Sequence, residues 1–169
     1  MMMRTRTRLI AAALLLNFVF LVGAVGCPDS GKPADDFSLQ PVEGGKAISL
    51  SQLKGKPTLV VFWATWCPPC TREIPVLKEI YVKYGKKLNM VGVAINYKQT
   101  QQEVANFSRA NGLQYTILWD AENKAADNYC VSGIPTVVLV DPQGIVQYRG
   151  NQITDQLTGL LERYAGKST

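Results

Sequence analysis

Continuous runs of apolar, β-branched residues recur along the chain and predict strands that are buried on both faces of a sheet. These runs are 58–64, 88–95 and 136–140, and a further short strand is predicted at 115–119. The residues 141–144, Asp-Pro-Gln-Gly, have the composition of a tight turn. They predict a hairpin that joins the last run to a further strand at 145–148.

Between these runs, apolar residues recur at the spacing of a helix. The pattern is clearest in 68–84, where Leu77, Ile80 and Tyr84 share one face and charged residues lie opposite. Further helices are predicted at 101–111, 121–129 and 153–164. Alternating strands and helices indicate one α/β domain, with a central mixed sheet flanked by helices. Active groups in such sheets collect at the carboxyl ends of strands.

The residues before the first buried run predict two further segments. Residues 28–36 are polar and prone to turns, which is typical of a linker. Residues 37–39 and 47–50 alternate apolar with polar around two glycines, which predicts a short hairpin. We therefore divide the chain into a targeting segment at 1–26, a linker at 27–36 and a folded domain at 37–166.

The targeting segment has a basic start followed by 18 mostly apolar residues, 9–26. This pattern predicts export from the cytoplasm. Three outcomes remain open: an uncleaved membrane anchor, plain cleavage after a small residue, and lipidation of Cys27, because Ala24-Val25-Gly26-Cys27 resembles a bacterial lipobox. Each outcome places the domain in an oxidising compartment, where thiols pair or react.

Composition excludes several classes of function. The net charge of +5 includes three arginines before the apolar run, and without them 15 basic residues face 13 acidic ones. Such a balance does not predict binding to nucleic acid, which needs clustered basic residues. The chain has no histidine, so it has no Ser-His or Cys-His nucleophile pair and no histidine ligand for zinc or haem.

Cys67 and Cys70 form a Cys-Pro-Pro-Cys motif between a predicted buried strand and the first turn of a predicted helix. The unpaired amides and the dipole of a helix start favour a thiolate, which is the nucleophile in disulfide exchange. Cys67 would attack a partner disulfide and Cys70 would resolve the mixed disulfide. A structural disulfide is the alternative, whereas a zinc site lacks ligands and haem attachment lacks the following histidine.

The motif Phe-Trp-Ala-Thr-Trp-Cys-Pro-Pro-Cys at 62–70, together with Gly-Ile-Pro-Thr at 133–136 and the turn 141–144, resembles the TlpA/ResA-like family of membrane-linked oxidoreductases. The similarity extends over about residues 35–165. It implies a thioredoxin-like fold with a helix inserted after the second core strand. It also implies that the protein reduces thiols of exported proteins, often apocytochrome c before haem attachment.

The resemblance also implies roles for residues outside the dithiol. The peptide bond between Ile134 and Pro135 would be cis, face the dithiol and leave backbone free to bind an extended substrate, whereas composition alone favours trans. Trp66 and Pro68 complete the predicted substrate contacts, and Trp66 also shields the thiol. Helical spacing itself predicts that Glu73 lies on the buried face of the helix, with an acid that favours the helix dipole or tilts to water as the alternative. The resemblance adds that this residue tunes the acidity of the dithiol.

Two other residues receive structural predictions. Trp63 is predicted to belong to the core. Cys130 is predicted to be a free, buried thiol that acts as a small hydrophobe, with a third redox thiol as the alternative.

These observations predict a membrane-tethered, monomeric thiol-disulfide oxidoreductase on the exported side of the bacterial cytoplasmic membrane. Its expected partners are exported thiol proteins and an integral-membrane dithiol donor, without cofactor, metal or nucleic acid. A disulfide-forming oxidant is the rival within this chemistry, and a thioredoxin-like Cu(I)-binding module is the rival outside it. Peroxide reduction is disfavoured because Ala64 stands where the peroxiredoxin pattern has threonine.

Overall fold

The computed structural model of the protein describes residues 26–166, and the seven strands in this range form one mixed sheet. The strands are β1 Ser38–Pro41, β2 Ile48–Ser49, β3 Thr58–Trp63, β4 Asn89–Ile95, β5 Thr116–Asp120, β6 Thr136–Val140 and β7 Val146–Gly150. Their order across the sheet is β2-β1-β5-β4-β3-β6-β7. Strands β3, β4 and β5 are parallel, and the remaining pairs are antiparallel. The predicted central mixed sheet is confirmed.

Helices cover both faces of this sheet. They are α1 Pro68–Tyr84, α2 Gln101–Ala110, α3 Lys124–Asn128 and α4 Asp155–Leu161, with a 3-10 turn at Leu50–Leu53 and a π turn at Glu162–Gly166. The helix α2 follows β4 directly, so the helix expected after the second core strand is present. Each prediction of a helix is confirmed, with small shifts at the ends.

The strand β3 explains how the two halves of the core form. Its six residues are all buried, and neighbours along a strand point to opposite faces. Leu59, Val61 and Trp63 therefore pack with α1, α2 and α4, whereas Val60 and Phe62 pack with α3 and the 3-10 turn. Trp63 is a core residue, as predicted. The position of β3 between both halves fixes the loop at its carboxyl end.

The helix α3 begins later than the predicted start at residue 121 because a buried carboxylate caps it. Asp120 accepts hydrogen bonds from the amides of Ala125 and Ala126 at 3.3 and 2.8 Å. Asn123, just before the helix, has a left-handed backbone with φ of 56°. Residues 121–123 therefore form a turn that lets Asp120 reach the helix start.

The predicted linker at 27–36 packs against the folded domain, and we call these residues the N-terminal strap. The Gly31 amide donates to the Val146 carbonyl at 2.8 Å, and the Val146 amide donates to the Lys32 carbonyl at 2.9 Å. Pro33 forms an isolated bridge with Ile145. The strap thus pairs with the first residue of the edge strand β7, whose outer backbone groups would otherwise be unpaired there.

A disulfide joins Cys27 to Cys130 across 103 residues of sequence, with a Cα separation of 5.6 Å. The prediction that Cys130 is free and buried was wrong: it is bonded and exposed. Lipidation of Cys27, one of the three outcomes left open, does not fit this bond, because a sulfur in a disulfide has no free valence for a lipid thioether. The prediction for Cys130 failed because it considered that cysteine without its partner.

The remaining predictions at the N-terminus concern residues 1–25, which lie outside the described residues. Within residues 26–166, none of the helices combines the length and the apolar character needed to cross a membrane.

Candidate active site

The two cysteines of the motif lie where the carboxyl end of β3 meets the start of α1. Cys67 is the N-cap of α1, with an extended backbone, and Pro68 and Pro69 are the first two helical residues. Proline suits this position because the first amides of a helix have no partner within it. Cys70 lies one turn further on, and its Cα is 5.3 Å from that of Cys67. The two sulfurs form a disulfide.

The start of the helix directs one backbone donor at the sulfur of Cys67. The amide of Cys70 donates to Cys67 Sγ at 3.3 Å. In the reduced protein this amide and the helix dipole would stabilise negative charge on that sulfur. Both cysteines are only 3% exposed in the disulfide form, so exposure does not distinguish the attacking thiol. The helix start does distinguish it, and it favours Cys67.

The loop before β6 forms the opposite wall of the site. The peptide bond between Ile134 and Pro135 is cis, in agreement with the expectation from the resemblance. The carbonyl oxygen of Ile134 lies 3.6 Å from Cys67 Sγ. A groove beside this loop is lined by Pro69, Ile134, Pro135 and Arg149, among others, and we call it the Pro135 groove.

The aromatic residue before the dithiol lies on another side of the site. Trp66 is 42% exposed, and its indole NH donates to the Tyr97 carbonyl at 2.6 Å. The two rings meet edge to face with centroids 5.6 Å apart. Pro68 is exposed beside them. Neither Trp66 nor Pro68 lines the Pro135 groove, so the predicted substrate contacts fall on two surfaces that flank the cysteines.

Gln99 holds the loop before Cys67, a role that the sequence did not reveal. Its Oε1 accepts from the amide and the hydroxyl of Thr65 at 2.9 and 2.8 Å. Its Nε2 donates to the Ile95 carbonyl at 2.8 Å. Gln99 therefore connects the β3–α1 turn to the end of β4. The only signal in the sequence is a glutamine shortly after a predicted strand, and it identifies neither the burial nor the partner.

Glu73 is half-buried on α1, one turn beyond Cys70. Its Oε1 accepts from the Ile153 amide at 2.9 Å, and its Oε2 is buried without a hydrogen-bond partner among the described residues. Burial raises the pKa of the Glu73 carboxyl, and the Ile153 amide offsets part of this effect. The structure thus agrees with partial burial, whereas a role in tuning the dithiol stays a prediction.

We expect Glu73→Gln to change the pH dependence of both stability and thiol reactivity. A carboxyl with a raised pKa in the folded state favours folding most below its ordinary value of 4.5. That contribution disappears as the pH rises through the raised pKa. Glu73→Gln keeps an acceptor for the Ile153 amide. Its unfolding free energy should therefore increase relative to that of the wild type as the pH rises through this range.

Alkylation by iodoacetamide tests the effect on the thiols. Removing a negative charge one helical turn from Cys70 should move the alkylation profile to lower pH, because like charge disfavours a thiolate. Glu79→Gln, on the same helix but exposed, is the matched control and should leave the profile in place. Superimposable profiles for wild type and Glu73→Gln would contradict the tuning role.

This geometry suits thiol-disulfide exchange. A thiolate at a helix start, a second thiol within disulfide distance and an adjacent groove with accessible backbone are the parts that the reaction needs. The cysteines are the groups that would react in this chemistry.

Comparison with known proteins gives the same picture. The AhpC/TSA family matches residues 30–149 of the chain. The chain is 38% identical to the thiol-disulfide oxidoreductase ResA of Bacillus thuringiensis strain Al Hakam over 135 residues, which cover 79% of this chain and 77% of that one. It is 37% identical to ResA of Bacillus subtilis strain 168 over 116 residues, covering 69% and 64% of the two chains.

A solved structure supports the similarity at the level of the fold. StoA from Bacillus subtilis superimposes with a TM-score of 0.64 and 28% identity, covering 78% of this chain and 96% of that one.

Proposed function

The chain belongs to the AhpC/TSA family and is a ResA-like thiol-disulfide oxidoreductase with its redox pair at Cys67 and Cys70, and from this premise we propose that it is an exported, membrane-tethered reductant of protein disulfides. Its substrates would be exported thiol proteins, with apocytochrome c as a candidate. The tether would be the apolar segment at 1–26. The domain would face the outside of the bacterial cytoplasmic membrane.

One observation carries the proposal for the chemistry. Cys67 Sγ accepts a hydrogen bond from the Cys70 amide at 3.3 Å and lies 3.6 Å from the Ile134 carbonyl oxygen. The first contact supports a thiolate, and the second puts that thiolate beside backbone that an extended substrate can bind. A partner cystine in the Pro135 groove would thereby be held next to the attacking sulfur.

The proposed direction of electron flow is argued from the segment at 1–26, which precedes the folded domain. A reduced dithiol does not persist in an oxidising compartment without a supply of electrons. An anchor at 1–26 would hold the domain near an integral-membrane dithiol donor, and tethering raises the effective concentration of such a partner. These arguments favour a reductant that is recharged from the membrane.

An insulin assay paired with a Cu(I) titration tests the class of function. We expect the wild type to accelerate insulin reduction by dithiothreitol, and we expect the Cys67→Ser/Cys70→Ser variant to match the uncatalysed rate. Stoichiometric Cu(I) binding without insulin reduction would favour the Cu(I)-binding rival. Rapid oxidation of reduced, unfolded protein in place of insulin reduction would favour the disulfide-forming rival.

Two experiments in cells address location and substrate. After cell fractionation, we expect the full chain in the membrane fraction and open to protease added outside the cytoplasmic membrane. A chain lacking 1–26 should remain inside the cell. Cys70→Ser should accumulate mixed disulfides with its substrates, which mass spectrometry can identify, and a set without exported thiol proteins would contradict the proposed substrate class.

A further inference from the structure

The Cys27–Cys130 disulfide connects two functionally different parts of the molecule. Cys27 is the first residue of the N-terminal strap. Cys130 follows α3 and directly precedes the segment 131–135, which ends at Pro135. Both cysteines are exposed, in contrast to the buried redox pair. A soluble thiol reagent therefore has direct access to this bridge.

Arg149 spans the same junction without a covalent bond. Its guanidinium donates to the carbonyls of Tyr129 and Cys130 at 2.5 and 3.2 Å, and its Nε lies 3.8 Å from Asp29 Oδ1 in the strap. Arg149 also lines the Pro135 groove. Arg149 thus links the start of the strap, the residues just before the segment 131–135 and the wall of the groove.

Opening the bridge would be a local event. The strap is held independently by its backbone bonds to β7, and the Tyr129 hydroxyl donates to the Asp35 carbonyl at 2.7 Å. Phe37, just after the strap, is buried against Tyr129. These contacts lie beyond the junction, so the fold does not depend on the bridge alone.

We propose that Cys27–Cys130 is a second, reversible redox site that sets the affinity of the Pro135 groove for protein substrates. A dithiol of the reductant attacks one exposed sulfur and forms a mixed disulfide, and its second thiol then displaces that sulfur. Two electrons pass to the bridge, Cys27 and Cys130 become thiols, and the reductant becomes a disulfide. The reduced Cys67–Cys70 pair of another copy of this chain is a dithiol reductant of this kind.

Reduction removes the covalent support from the segment that leads to Ile134 and Pro135. The junction then keeps only non-covalent contacts, among them the bonds from Arg149 to the Tyr129 and Cys130 carbonyls and its ion pair with the exposed Asp29. The groove wall becomes mobile and binds substrate less tightly, while the chemistry at Cys67 and Cys70 continues. This effect on affinity rests on the proposed role of the groove in binding substrate.

A redox titration tests the site itself. The Cys67→Ser/Cys70→Ser variant keeps only the second bridge, so alkylation and mass measurement report that bridge alone. We expect reversible gain of two alkylated thiols across dithiothreitol ratios at which circular dichroism shows a folded domain. Reduction that occurs only together with unfolding would overturn the proposal and make the bridge purely structural.

Hydrogen exchange of the same variant tests the link to the groove without any need for activity. With the bridge reduced, we expect faster exchange at 131–135 and unchanged exchange in β3. Equal exchange at 131–135 in both redox states would refute the coupling. Since neither measurement needs turnover, a failure of the proposed reductase function would not be mistaken for a failure of this inference.

Kinetics of insulin reduction measure the consequence for affinity, at a ratio of reduced to oxidised dithiothreitol at which the redox titration leaves Cys27–Cys130 oxidised. With the active pair intact, Cys27→Ser/Cys130→Ser should raise KM by about threefold to tenfold and leave kcat unchanged. Asp29→Asn is the control, because it removes the exposed carboxylate that pairs with Arg149 at 3.8 Å and keeps the disulfide, so its KM should stay near that of the wild type. An unchanged KM in the double variant, or a fall in kcat instead, would contradict the proposed role.

Discussion

Replacing Cys67 by serine is expected to abolish disulfide exchange, with a loss of rate of about three orders of magnitude or more. The sulfur of Cys67 accepts a hydrogen bond from the Cys70 amide at the helix start and lies beside the Ile134 carbonyl, so it is the group that attacks. A serine hydroxyl is not ionised at neutral pH and cannot exchange with a disulfide. No other residue provides this sulfur in the same place.

Replacing Cys70 is expected to have a different outcome. Cys70→Ser should still attack a partner disulfide but should stall as a mixed disulfide, because the resolving thiol is absent. Non-reducing gels with insulin as partner separate the two variants. Cys27→Ser/Cys130→Ser, which lacks two cysteines outside the active pair, should form no stalled adduct. Mixed disulfides from Cys67→Ser and none from Cys70→Ser would reverse the assignment.

The second large effect is expected at Tyr129, whose replacement by alanine should lower the unfolding free energy by about 3–5 kcal/mol. The ring is fully buried and packs against Phe37 and Phe62 with centroid distances of 6.3 and 5.3 Å. Its hydroxyl donates to the Asp35 carbonyl, which ties the strap to the core. Burial raises the pKa of Tyr129, so the hydroxyl stays a neutral donor.

Urea unfolding of two further variants separates the contribution of ring packing from that of the hydroxyl hydrogen bond and provides a control. Tyr129→Phe keeps the ring and removes the hydrogen bond, so its loss should be about 1 kcal/mol. Tyr97→Ala removes an exposed tyrosine and should change stability by no more than about 0.5 kcal/mol. If Tyr129→Phe were as destabilised as Tyr129→Ala, the hydrogen bond rather than packing would dominate.

The elements that carry the active pair were predictable because their signals are local. The helix α1 has its predicted bounds because Pro68 suits the first turn and the apolar residues keep helical spacing up to Tyr84. The strand β6 is a short apolar run that ends at a turn sequence. The dithiol at the junction of β3 and α1 therefore follows from sequence, as does its chemistry.

Contacts between distant segments were not predictable in this way. The disulfide joins residues 103 apart, and the pairing of cysteines does not follow from their number or spacing. The strap has the polar composition of a linker, yet it forms backbone bonds that carry no side-chain signal. Both features depend on β7 being an edge strand, which only the sheet order reveals.

Glu73 shows the same limit within a correct prediction. Its place on the helix predicted a buried side chain, and the structure shows a half-buried one. Its partner is the Ile153 amide, 80 residues further along the chain in the loop before α4. Helical periodicity identifies the face of a side chain, whereas the group that meets it depends on packing of another element.

The reduction potential of the Cys67–Cys70 pair tests the central claim most directly. Equilibration with glutathione or thioredoxin, followed by alkylation and mass measurement, gives this potential, and the Cys27→Ser/Cys130→Ser background removes the contribution of the second bridge. A reductant that is recharged at the membrane should show a reduction potential of about −270 mV or lower. A potential of about −120 mV would contradict the account and identify a disulfide-forming oxidant.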